Sequence, residues 1–75
     1  MKRVELVNAK LDIEKLSSTW GSHHYKVYLV SGQWPDAEDL LTICDNLTFG
    51  TDIKRHFGGV VEKFGNEARV EVYFD

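Results

Sequence analysis

Two runs of strict alternation frame the chain. From Ala68 to Phe74, the apolar residues Ala68, Val70, Val72 and Phe74 alternate with Arg69, Glu71 and Tyr73. Successive side chains of an extended strand point to opposite faces, so this run predicts a strand with one apolar face. Near the other end, Val7, Ala9, Leu11 and Ile13 alternate with Asn8, Lys10, Asp12 and Glu14. The same argument predicts a long first strand there. Val4 and Leu6 fall on the opposite parity, which either a bulge that switches face or a second covered surface explains.

The stretch between these runs supplies the other elements. Gly65-Asn66 separates the last strand from the apolar run beginning at Val60-Val61, and both residues tolerate the positive φ of a two-residue hairpin turn. A C-terminal β-hairpin follows. Ser17–Ser22 reads as a loop from its small polar residues and glycine. His23–Val30 is rich in aromatic and β-branched types and predicts a second, more enclosed strand, ended by Ser31-Gly32-Gln33-Trp34-Pro35. Asp36 then takes the N-cap position of a helix over 37–47. Ala37, Leu40, Leu41, Cys44 and Leu47 recur at helical spacing on one face, with Ile43 at its margin and Glu38, Thr42, Asp45 and Asn46 elsewhere. Asp36, Glu38 and Asp39 complement the positive end of the helix dipole. Thr48–Asp52 breaks the pattern, Ile53–Phe57 is a short strand or an ordered loop, and Gly58-Gly59 permits a bend before the hairpin.

The element order is then β-β-α-β-β. One helix laid across one face of a four-stranded, mainly antiparallel sheet gives a two-layer α+β fold, with residues 1–75 as a single domain. The final strand is a candidate sheet edge. A single helix covers only one face. The other face should carry Lys26, Tyr28 and Val30 from the second strand and Arg69, Glu71 and Tyr73 from the last.

Composition narrows the function classes. Nine Lys and Arg against twelve Asp and Glu give a net charge of −3, a poor basis for neutralising phosphates. The lone cysteine, Cys44, forms no internal disulfide, which suits a reducing compartment or a secreted protein stabilised in some other way. No apolar run approaches the roughly 20 residues of a membrane helix, so the expectation is a cytoplasmic chain without a membrane partner.

No metal, cofactor or catalytic site is expected. His23, His24, His56 and Cys44 match no zinc-ligand spacing, and Cys44 sits on the apolar helix face, where it acts as a small hydrophobe. Nothing in the sequence places a serine or Cys44 beside a histidine and an orienting group. Glu38, Asp39 and Asp45 are accounted for by capping and solubility. P-loop, dinucleotide and H-E-x-x-H motifs do not occur. The chain is therefore expected to be a non-enzyme.

Two function classes remain. The first is a non-catalytic protein-interaction or regulatory module acting on another protein or on itself, with a homodimer formed through an edge strand or the uncovered sheet face. Trp20, Tyr28, Trp34 and Tyr73 are its candidate contact residues, because amphipathic aromatics dominate interface hot spots. The alternative is a nucleic-acid-binding accessory protein in which Lys54, Arg55 and exposed aromatics hold a single strand.

Overall fold

The computed structural model describes residues 1–50 and 55–74. The elements run β1 (Lys2–Glu5), β2 (Ala9–Thr19), β3 (Ser22–Gly32), α1 (Ala37–Phe49), β4 (Gly58–Phe64) and β5 (Glu67–Tyr73). All strand pairings are antiparallel, in the spatial order β1-β2-β3-β5-β4. The fold is α+β with α1 on one face of the sheet, as expected, but the sheet has five strands in place of four.

The extra strand is β1. Only Val4 in Lys2–Glu5 is apolar, so the segment shows too little alternation to be read from sequence. Val4 pairs with Leu11 and packs against the core, whereas Leu6 is exposed and Val7 fully so. The first long strand therefore starts at Ala9, and Leu6-Val7-Asn8 forms the connection, closed by the Leu6 amide donating to the Ala9 carbonyl at 2.8 Å. The expected bulge exists elsewhere. Register steps fall between Lys10 and Leu11, which leaves Val30 of β3 as the extra residue, and between Lys15 and Ser17, which leaves Leu16 of β2 as the extra residue. Ser17–Thr19 and Ser22 belong to strands, so the predicted Ser17–Ser22 loop shrinks to the turn Trp20-Gly21. Ladder hydrogen bonds here override the loop-like composition.

At the C-terminal hairpin, Phe64 pairs with Glu67 across Gly65-Asn66. Gly65 has φ 62°, and no non-glycine described residue has positive φ. Glycine alone at the first turn position is the type II′ pattern, whose twist matches that of the flanking strands.

The core lies between α1 and one sheet face. Leu11, Val27, Val70, Val72, Leu40 and Cys44 are all at or within 1% of complete burial. Each large aliphatic chain so removed from water contributes about 1.5–3 kcal/mol. Val70 and Val72 thus lie on the helix-covered face, and Phe74 packs at its end. Gly59 lets α1 settle there, because a Cβ at this position would run into the Leu41 side chain and the Glu71 carbonyl oxygen. The helix continues to Phe49, two residues past its expected end. Asp36 occupies the N-cap position, but its carboxylate makes no capping bond; its backbone carbonyl accepts from the Leu40 amide at 3.0 Å.

Candidate interaction surface

Strand register places the uncovered face row by row. Glu14, Lys26, Arg69 and Glu62 stand side by side across β2, β3, β5 and β4. This central row carries charges in the order minus, plus, plus, minus. To one side lies the row Arg3, Asp12, Tyr28, Glu67 and Phe64; to the other lies Ser17, His24, Glu71 and Val60. Arg3 makes a two-pronged contact with Asp12 that holds the Asp12 carboxyl below its ordinary range. Lys26 sits 3.6 Å from Glu67 and 5.4 Å from the Tyr28 ring centroid. The middle of this face is a solvated charge lattice.

The predicted contact residues separate to the two ends of the sheet. Trp20 projects from the β2–β3 turn and is fully exposed, near the end of the ladder where Ser22 pairs with Tyr73. The Tyr73 hydroxyl donates to Glu71 Oε2 at 2.6 Å, a bond that pushes its pKa up. Tyr28 and Trp34 lie at the opposite end. Trp34 is half-buried, packs against the core and donates from Nε1 to the Gly65 carbonyl at 2.9 Å, which fastens the loop before α1 to the C-terminal hairpin. Of the two nucleic-acid candidates, Lys54 lies outside the described residues. Arg55 is exposed but leans on Phe49, its guanidinium carbon 5.1 Å from the ring centroid.

Exposed apolar bulk gathers away from the predicted contact residues. Phe57, Val60 and Phe64 are 67%, 42% and 65% exposed and follow one another along β4 and its approach. The sheet order makes β4 the edge strand and buries β5 between β3 and β4, so the expectation of a C-terminal edge is corrected. The sequence signalled the exposure of Val60 and Phe64, though not the edge: they fall with Glu62 on the face opposite Val61. In a hairpin closed by a two-residue turn, the pair flanking the turn is hydrogen-bonded, and bonded pairs recur every second residue. Gly58, Val60, Glu62 and Phe64 thus bond to β5, while the amides and carbonyls of Gly59, Val61 and Lys63 point outward. Among the described residues, no strand covers that side. The sequence matches no protein-family model, and no curated protein or solved structure shows significant similarity to it.

Two groupings of histidine with carboxylate lie on opposite sides of the sheet, one on its open face and one at α1. On the open face, Thr19 Oγ1 lies 2.9 Å from Ser22 Oγ, Ser22 Oγ 3.3 Å from His24 Nε2, and His24 Nδ1 3.5 Å from Glu71 Oε1. The sequence did not suggest that a serine, a histidine and a carboxylate meet. The row borders a small pocket of about 140 Å³ lined also by Leu16, Val60 and Arg69, and it clasps β2, β3 and β5 together. Within α1, Asp45 is fully buried, contrary to the expectation of a solubilising residue. Its Oδ2 accepts from the backbone amides of Arg55 at 2.6 Å and His56 at 3.0 Å, and lies 2.6 Å from His56 Nδ1. Burial alone would raise the Asp45 pKa, but these bonds outweigh it and hold the carboxylate below its ordinary range. Glu38 Oε1 stands 3.2 Å from the other ring nitrogen of His56. The grouping ties the segment after the helix back onto it.

Cys44 is inert by position, its thiol buried and pushed up to about 12. Among the described residues, no group of three or more His, Cys, Asp or Glu is arranged to hold a metal ion. Nor is any helix of the described residues long and apolar enough to cross a membrane.

Proposed function

We propose that this chain is a small, non-catalytic cytoplasmic interaction module that works by strand addition at β4, with a second copy of itself as the partner. The observation that carries the reading is the outward edge of Gly58–Phe64, flanked by exposed Phe57, Val60 and Phe64. Main-chain groups of such an edge supply binding energy, and alternate side chains supply specificity.

The strand is self-complementary in one register. Antiparallel pairing centred on Val61 joins the outward-pointing residues of both copies. It sets Phe64 opposite the partner's Gly58 and Lys63 opposite the partner's Gly59. Bulk then faces glycine at both ends of the strand. A shift of one step toward the turn would instead set Glu62 against Glu62, which like-charge repulsion disfavours. Glu62 and Lys63 thus discourage indiscriminate edge pairing while permitting the symmetric one. Two seven-residue strands form a small interface, so the dimer is reversible and concentration-dependent.

The test is light scattering after gel filtration across a concentration series, with Lys63→Pro as the control. The Lys63 amide points away from β5, so proline removes an edge donor without breaking the hairpin ladder. A dimer fraction that grows with concentration and disappears in Lys63→Pro supports the reading. A strict monomer at high micromolar concentration contradicts it. The nucleic-acid alternative has Arg55 as its described basic residue; retention on single-stranded oligonucleotides that falls steeply with salt would favour it instead.

A further inference from the structure

On the helix-covered side, at the edge of the sheet opposite β4, a groove of about 590 Å³ runs between the C-terminal half of α1 and strands β1 and β2. This volume is in the range of small-molecule sites. Two cations stand on its wall. Lys2 pairs directly with Ile13, and Lys15 follows Ile13 by two residues on the same face, so both side chains rise beside the same apolar floor. Neither lysine forms an ion pair with a described residue, although Lys10 and Lys26 both do.

The groove is also polar in an unfinished way. Tyr25 lines it and is 2% exposed, yet its hydroxyl is buried with no hydrogen-bond partner. Asn46 lines it as well, and its Oδ1 is buried and unpartnered. Buried polar atoms are nearly always satisfied, and one left without a protein partner costs free energy. Two residues that carry such atoms line one groove, beside two lysines without ion pairs and the apolar Ile13 and Leu47, and together they describe one kind of complement.

We propose that this groove binds a small amphipathic carboxylate. Its apolar body rests on Ile13 and Leu47, and its carboxylate lies between Lys2 and Lys15. An N–H or hydroxyl on the body donates to Asn46 Oδ1, and the Tyr25 hydroxyl hydrogen-bonds the ligand. Burial raises the Tyr25 pKa far above neutrality, so the hydroxyl is a proton donor at physiological pH. The site is independent of β4 pairing.

Indole-3-acetate is a suitable probe, since it carries a carboxylate, an apolar ring and an N–H donor. The experiment is an NMR amide-shift titration of the full chain. Saturable shifts confined to Ile13, Lys15, Tyr25 and the end of α1 are the expected result. Acetate and neutral indole, each with half of the chemistry, should bind at least about tenfold more weakly, a 1.4 kcal/mol difference. Lys2→Gln with Lys15→Gln should weaken the probe by about tenfold or more, as expected for lost charge-assisted bonds. Tyr25→Phe removes only an unpartnered hydroxyl, so it should fold with unchanged or higher stability and still bind several-fold more weakly. Absence of saturable shifts at millimolar probe overturns the proposal, and would mean that water alone satisfies Tyr25 and Asn46. An unchanged midpoint in the double lysine variant overturns it equally, leaving those lysines to complement the helix C-terminus.

Discussion

On the covered face, Leu11, Val27, Val70 and Val72 are sealed from water; on the open face, their chain neighbours Asp12, Lys26, Arg69 and Glu71 stand in charged rows. Both faces come from the same two-residue alternation. They differ in how much each position matters. Under α1 these residues pack with Leu40, Leu41 and Cys44 in one buried cluster, so a small change there creates a void or a clash. On the open face the charges are solvated, and single exposed pairs contribute little. The two histidine groupings repeat the contrast. Asp45 and His56 meet in a buried site where the Asp45 carboxylate also accepts from two backbone amides, while His24 and Glu71 meet at 3.5 Å in a partly exposed row. Stability therefore resides on one face, which leaves the other face and its β4 edge free to vary in chemistry.

Substitutions can break this contrast, and the largest effect belongs to the buried pair. Asp45→Ala leaves two backbone amides and the His56 ring without their acceptor, and should cost about 3 kcal/mol or more in urea unfolding. A loss below about 1 kcal/mol would mean that the pair is not the buried clasp described here. Gly59→Ala forces a methyl against Leu41 and the Glu71 carbonyl, with an expected cost of about 2 kcal/mol by the same assay. Acid should expose a smaller effect of known sign. The Asp45 carboxylate is held below its ordinary value of 3.8. Its contribution is therefore complete above the unfolded-state pKa and is lost as pH falls through the lower folded-state value. Urea midpoints of the wild type should drop more steeply than those of Asp45→Asn between about pH 5 and pH 2. The smallest effect is on the open face: Arg69→Gln should change stability by no more than about 0.5 kcal/mol. A larger loss there would remove the distinction between the faces.

Alternation was the legible part of this fold. It located Leu11, Ile13, Val70 and Val72 on the buried face and assigned Lys26, Tyr28, Arg69, Glu71 and Tyr73 to the open one, because period two is a local property of the chain. β1 was illegible, since a short edge strand with one apolar residue is recruited by pairing to β2, which is non-local. The burial of Asp45 was hidden for a similar reason. Helical spacing sets it off the main apolar stripe, and only the return of Arg55 and His56 onto α1 makes a carboxylate useful there. Trp20 and Trp34 carried identical sequence signals and met opposite fates, one at a free turn and one bonded to the carbonyl of Gly65. The β4 edge depended on strand order, which alternation does not encode.

Self-pairing through β4 is most directly tested by amide hydrogen exchange read residue by residue at two protein concentrations. Val60, Glu62 and Phe64 bond to β5 in monomer and dimer alike, and their protection should be insensitive to concentration. Val61 and Lys63 should exchange quickly in dilute solution and slow markedly as concentration rises, giving an every-second-residue signature. Fast exchange at Val61 and Lys63 at every concentration, or slowing spread evenly along the strand, would contradict the account.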